Sequence, residues 1–233
     1  MWLHSQWLQR RAGGIGEQLA VEMVAGLDFI ALGAHKDKDV IKLLRRIRKE
    51  RKCLLTGLEQ FLLYSLTRAQ IRLPGDIAEV GVYTGASAKL ICEARGSKPL
   101  HLFDTFEGLP ESSAKDRNVY NNKSKPQYAC SLESVQDYLH DYADLHFYKG
   151  LFPTTAEPVR DRTFCFVHID VDLYESTLAC LQFFYPRLVP GGILLSHDYS
   201  ILAGVKAAFT EFLADKPEAL VELPTTQCMI IKR

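Results

Sequence analysis

From residue 76 onward, short apolar runs alternate with helix-length amphipathic segments, and a different pattern precedes them. The runs IAEVGV (77–82), LHLFDT (100–105), LHFYKG (145–150), FCFVHID (164–170), GGILLSHD (191–198) and CMIIKR (228–233) are too short for helices and rich in β-branched and aromatic residues, which predicts buried strands. The segments between them are regular and of helical length. That alternation predicts parallel βαβ units and an α/β fold with a doubly wound, mostly parallel sheet. Upstream of LPGD (73–76), apolar and basic residues recur at helical spacing, and residues 40–69 predict one or two amphipathic helices. The change of pattern divides the chain into an N-terminal helical extension, 1–75, and an α/β domain, 76–233.

Three other segments stand out. The glycines of AGGIGE (12–17) follow no strand and mark a turn or helix boundary rather than a nucleotide loop. The basic run RRIRKERK (45–52) is interrupted by Ile47 and Glu50, as a solvated amphipathic helix face would be. Residues 111–128, ESSAKDRNVYNNKSKPQY, are polar and too long for a simple connector, so they read equally as a solvent-filling loop or as a lid over a site. Trp2 and Trp7 are candidates for packing on the domain or for anchoring a partner chain.

Composition narrows the class of ligand. Of 233 residues, 28 are basic and 28 acidic, so no bulk charge favours a polyanion; nucleic acid is not expected and a small molecule is. The six cysteines, at 53, 92, 130, 165, 180 and 228, form no CxxC pair and several lie in apolar runs, which suits reduced, buried thiols. No apolar stretch approaches the roughly 18–20 residues of a membrane span, and no basic-then-apolar signal segment opens the chain. A cytoplasmic protein is expected, without membrane association.

In a sheet of this class ligands bind beyond the carboxyl ends of the strands. The first such end is EVGVYTGAS (79–87), where Gly81 and Gly85 permit a tight turn and a helix from Ala86 offers free N–H groups. Its spacing is not that of a dinucleotide cradle. Asp104 closes the second strand, 25 residues after Glu79 and near the roughly 20-residue offset of an acid that accepts ribose hydroxyls. The pair suggests a nucleoside cofactor without a pyrophosphate, and S-adenosylmethionine fits. Further on, Asp170 and Asp172 end one strand, and His197 with Asp198 ends the next. Carboxylates converging there repel unless a cation neutralises them, and oxygen ligands suit Mg²⁺ in an open site. Each acid could instead cap a helix, and His197 could be a hydrogen-bonded core imidazole.

Taken together, PGDIAEVGVYTGAS, FDTFEGLP, SLESVQ, KGLFPTT, IDVDLYEST, YPRLVPGG and HDY resemble the TylF or macrocin O-methyltransferase family, class I S-adenosylmethionine-dependent enzymes of Rossmann-like fold that methylate sugar hydroxyls of natural products. The resemblance covers about residues 50–233. It implies a Mg²⁺-dependent O-methyl transfer. Glu79, Gly81, Tyr83, Thr84, Gly85, Ser87 and Asp104 would hold the cofactor, with Ser131 and Leu132 near its adenine. Asp170 and Asp198 would ligate the metal, and Asp172 would be the base. Where the family carries two adjacent aspartates this chain has His197 and Asp198, so His197 becomes either a nitrogen ligand, which favours Mn²⁺ or another transition ion over Mg²⁺, or the base itself. The acceptor is expected to be a small molecule with a hydroxyl or a vicinal diol, and the apolar helical surface near the amino terminus suggests a homo-oligomer. A catechol-type O-methyltransferase makes the same demands on the ion. A nicotinamide oxidoreductase would leave the acidic cluster unexplained, and a non-catalytic homologue would bind cofactor without turnover.

Overall fold

The computed structural model of the chain describes residues 6–116 and 128–233. Trp2 and residues 117–127 of the candidate lid lie outside them, as does the Trp7 side chain. Three helices open the chain: α1 (Gln6–Gly33), α2 (Lys38–Glu50) and α3 (Gly57–Gln70). Helix α1 runs through the AGGIGE segment, where a turn or boundary was expected. Glycine costs a helix interior roughly 1 kcal/mol against alanine. Val21, Ala25, Phe29 and Leu32 bury one stripe of the same helix, and tertiary packing overrides that local cost. In α2 the basic run is not wholly solvated. Arg46 reaches Glu93 at 2.8 Å on the surface, whereas the Arg48 side chain is only 5% exposed, pairs with Glu22 and donates to the Leu55 carbonyl.

The α/β part follows as β1 (Asp76–Val80), α4 (Ala86–Ala94), β2 (Leu100–Asp104), α5 (Leu132–Tyr138), β3 (Leu145–Lys149), β4 (Phe164–Ile169), α6 (Tyr174–Phe184), β5 (Leu188–Ser196), α7 (Ala203–Leu213), β6 (Val221–Glu222) and β7 (Cys228–Ile231). They form one seven-stranded sheet in the order β3-β2-β1-β4-β5-β7-β6. The first five strands pair parallel; β7 runs antiparallel to β5, and β6 to β7. The six expected strands are all present. Strand β6, two exposed residues, carries no apolar run from which it could be read.

Successive strand residues alternate between two cores. Ile77, Leu102, Phe166 and Leu195 face the helices that include α1 to α4, while Ala78, Phe103, Val167 and Leu194 face α6 and α7. Helices cover both faces, so the central strands read as continuous apolar runs. Among the polar residues buried inside this sheet, Glu79 and His168 are register neighbours on β1 and β4. The chain reverses its direction of winding between β1 and β4. Beyond their carboxyl ends lies the crevice in which sheets of this kind bind ligands.

Candidate active site

A cavity of about 490 Å³ opens at that crevice. Gly81, Tyr83, Thr84, Ser87, Asp104, Asp170, Asp172, His197 and Asp198 all line it, so most of the candidate residues come together in one place. Glu79, Gly85, Ser131 and Leu132 are not in the lining. Glu79 sits below the floor, fully buried, with Oε1 at 2.9 Å from His168 Nδ1. Gly85 is the N-cap of α4 with φ 83° and provides no capping side chain, which leaves the first N–H groups of that helix for a ligand. Ser131 caps α5, its hydroxyl accepting from the Ser134 amide, and Leu132 begins that helix.

Asp104 does more in the structure than offer a carboxylate to a ribose. One oxygen accepts from the amides of Val82 and Tyr83 at 2.6 and 2.9 Å, and the other from the amide of Phe106 at 2.7 Å. A carboxylate has about four acceptor sites, so these bonds use most of its capacity. Asp104 thus ties the end of β2 to the turn after β1 and sets that turn's shape. The turn holds Tyr83 at φ 48°, and its ring stacks edge-on to Tyr128, which re-enters the described chain beside the cavity.

The acidic end of the cavity is built from β4 and β5, which are adjacent and parallel. Asp170 follows β4 directly and Asp172 lies two residues on; His197 and Asp198 follow β5. Asp172 and Asp198 both adopt left-handed backbone, φ 61° and 60°, a conformation that aspartate tolerates better than most residues and that gathers at functional sites. His197 is the centre of the cluster. Its Nδ1 is 3.0 Å from Asp198 Oδ1 and 3.5 Å from Asp170 Oδ1, and its Nε2 is 3.3 Å from Glu59 Oε2. Glu59, Thr226, Lys52 and Tyr128 also line the cavity, and none was singled out from the sequence. Only Glu59 had left a signal: Thr56 and Glu59 have the spacing of a helix capping box, and they form one.

The electrostatics follow from this crowding. Burial alone would favour a neutral imidazole, but Asp198, Asp170 and Glu59 outweigh it and lift the His197 pKa well above its ordinary value. Burial and the charge of Asp198 raise Asp170, with His197 opposing. Burial, Asp198 and Asp170 raise Asp172 further. Glu59 goes the other way: the cost of burial is exceeded by His197 and by hydrogen bonds from Thr56 and Thr226, which hold it below the usual carboxylate range.

These shifts fix how stability depends on pH. Above the ordinary carboxyl range, folded Asp170 and Asp172 retain protons that the unfolded chain has released, and above the ordinary imidazole range His197 does the same. Stability therefore falls as pH rises through their raised values. Glu59 contributes stability above the ordinary carboxyl range that is lost as pH falls below it. The metal-free protein is expected to lose stability as pH rises above the ordinary carboxyl and imidazole ranges. Thermal melts in chelator checks this, at roughly 2–4 °C per kcal/mol for a chain of this size. Added Mn²⁺ or Mg²⁺ should recover more at pH 8.5 than at pH 6; a flat profile would mean the cluster carries no such charge balance.

One atom each from Asp170, His197 and Asp198 lies within 4.8 Å of the others, which makes them a candidate cation site. The donor set fits a divalent ion. Ligand atoms at about 2.1 Å from an octahedral metal lie roughly 3.0 Å apart when adjacent, close to the spacings around Nδ1, and two carboxylates with an imidazole suit Mn²⁺ and its neighbours as well as Mg²⁺. Asp172 adjoins the set. The six cysteines are free, and five are buried. Among the described residues no helix is long and apolar enough to cross a membrane.

The chain matches the family model described as macrocin-O-methyltransferase (TylF) over residues 58–223. It is 32% identical over 142 residues to a tetracenomycin-C rhamnosyl 4'-O-methyltransferase of Streptomyces olivaceus, covering 55% of this chain and 54% of that protein. It is 29% identical over 158 residues to demethyldecarbamoylnovobiocin O-methyltransferase of Streptomyces niveus, covering 61% and 59%. The chain thus spans less than two thirds of the length of these curated relatives. Among solved structures, the O-methyltransferase NovP superposes with a TM-score of 0.69 at 25% identity, covering 77% of this chain and 81% of that one. The calicheamicin methyltransferase CalS11 shares the fold, with a TM-score of 0.66 at 20% identity over 90% and 92% of the two chains.

Proposed function

We propose, for a chain that belongs to the macrocin-O-methyltransferase (TylF) family, that it transfers the methyl group of S-adenosylmethionine to a hydroxyl on a sugar moiety of a small molecule, with a divalent cation assisting. The observation that carries this reading is the meeting of Asp170, His197 and Asp198 within 4.8 Å at the mouth of the β1/β4 crevice, with Asp172 beside them in the same cavity. The relatives' sugar acceptors support the choice of substrate class.

S-adenosylmethionine would lie against the turn after β1. Gly81, Tyr83, Thr84 and Ser87 offer backbone and hydroxyl contacts there, Asp104 orders the turn and keeps its remaining acceptor capacity, and Glu79 and Gly85 shape it from behind. Ser131 and Leu132 would approach the cofactor from the start of α5. A cation held by Asp170, His197 and Asp198 supplies Lewis acidity that lowers the pKa of an acceptor hydroxyl. Asp172, beside that group in the same cavity, takes the hydroxyl proton on its carboxylate. The crevice orients the acceptor oxygen for in-line attack. Leu19, Met23, Leu27 and Ile30, which leave an exposed apolar face on α1, support assembly into a homo-oligomer.

Incubation with S-adenosylmethionine and glycosylated or catechol acceptors, with Mg²⁺, Mn²⁺ or chelator, tests the reading by mass spectrometry. Methylation of a sugar hydroxyl that stops in chelator is expected. Methylation of catechols alone would replace the substrate class, and undiminished turnover in chelator would remove the metal from the account.

A further inference from the structure

We propose that Glu59 is a positioning residue for this site: its carboxylate holds the Nε2 edge of the His197 imidazole, so that Nδ1 is the ring atom presented to Asp170 and Asp198. The inference rests on the function proposed above for the use made of that nitrogen, but the arrangement itself concerns only residues of this chain.

Glu59 belongs to the first turn of α3, outside the sheet that carries the rest of the cluster. A glutamate in a capping box needs one oxygen for its task. Here Oε2 accepts from the Thr56 amide at 2.8 Å, which completes that task. Oε1 is separately fixed by Thr226, accepting from its hydroxyl at 2.7 Å and its amide at 3.3 Å. The residue is 2% exposed. Burying a carboxylate is costly, and a helix cap alone gives no reason to do so. What the extra anchoring achieves is the placement of Oε2 at 3.3 Å from His197 Nε2. That contact has ion-pair length without hydrogen-bond alignment, as contacts in ligand-free sites often do before they tighten.

The consequence is chemical. A neutral imidazole has one N–H and one lone pair, and carboxylates face both nitrogens of this ring, so a cation on Nδ1 would leave the proton on Nε2, toward Glu59. With Glu59 on the Nε2 side to accept that proton, the lone pair of Nδ1, the nitrogen lying 3.0 and 3.5 Å from the two aspartates, would be free for the ion. Glu59 faces the opposite edge of the ring and so orients the ligand without joining it. Orienting carboxylates of this kind are worth about 10–100-fold in metal affinity.

The full chain with Glu59→Gln and Glu59→Ala tests the proposal, with Thr56→Ala as control. The control removes the cap hydroxyl and leaves the Glu59 carboxylate beside His197. Two readouts are needed: Mn²⁺ affinity by electron paramagnetic resonance without cofactor, and the His197 tautomer in metal-free protein at alkaline pH by long-range ¹H–¹⁵N correlation. Glu59→Ala should shift the tautomer balance toward Nδ1–H relative to the parent, because only the carboxylates on the Nδ1 side remain. Mn²⁺ binding should weaken about 10–100-fold in both Glu59 variants and stay within twofold in Thr56→Ala even where its melting temperature drops. A tautomer balance unchanged in Glu59→Ala overturns the proposal, as does equal loss of Mn²⁺ affinity in the control. A parent that binds no divalent ion yet shows the Glu59-dependent tautomer would refute the metal-assisted reaction and leave the role of Glu59 standing.

Discussion

Asp172→Asn should lower turnover by roughly 10²–10⁴-fold, the usual contribution of a general base, while S-adenosylhomocysteine binds as tightly as to the parent. The substitution is nearly isosteric, and asparagine accepts the left-handed backbone that Asp172 occupies at φ 61°, so the loop after β4 has no reason to move. Asp172 also lies outside the group of Asp170, His197 and Asp198, so Mn²⁺ binding should persist. What the variant lacks is the carboxylate that stands beside that group in the cavity. The variant should also be more stable above neutral pH, since a buried charge that opposes folding there has been removed. Isothermal titration, Mn²⁺ binding and single-turnover methyl transfer separate these effects. Turnover within tenfold of the parent would assign the base to another group, and His197 would be the first to try.

The strands were legible because helices cover both faces of the sheet. Residues such as Ile77, Ala78, Phe166 and Val167 are all buried, and a run of them shows in the sequence whichever core each one joins. Asp170, His197 and Asp198 were legible for a related reason: polar residues that end such runs have few structural uses there. Glu59 was hidden because its neighbours explain it locally as a helix cap, and its contact with residue 197 spans 138 positions of chain. The second duty of Asp104 was hidden in the same way, since backbone amides 21 and 22 residues distant leave no mark in composition or periodicity. The glycines near the start of α1 misled because propensity is a weak signal against the burial of a whole helix stripe.

Gly81→Ala should be strongly destabilising. Gly81 stands at φ 91°, and a Cβ built there would lie 1.8 Å from the carbonyl oxygen of Asp170 and 2.7 Å from its carbonyl carbon. Neither neighbour is a side chain that can rotate away. The same two strand ends are tied by the Asp170 amide donating to the Val80 carbonyl at 2.9 Å, and β4 is tied to β5 by the His197 amide donating to the Ile169 carbonyl at 2.9 Å. Room for the methyl is made only by parting β1 from β4, which displaces Asp170 from His197 and flattens the turn held by Asp104. Strain at positive φ costs about 1–3 kcal/mol, and the main-chain collision adds to it. A loss of roughly 4 kcal/mol or more is expected, read as a drop of about 8–16 °C in melting temperature. Affinity for S-adenosylhomocysteine and for Mn²⁺ should fall together, because one contact supports both halves of the site. Gly26→Ala is the matched control: it lies within α1, with nothing within 4 Å of its built Cβ, and should be neutral or stabilising by about 0.4–1 kcal/mol. If Gly81→Ala melted like the parent, or lost cofactor affinity while keeping Mn²⁺ affinity, β1 and β4 would not be wedged together at this point. The crevice would then owe its shape to the Asp104 bonds alone.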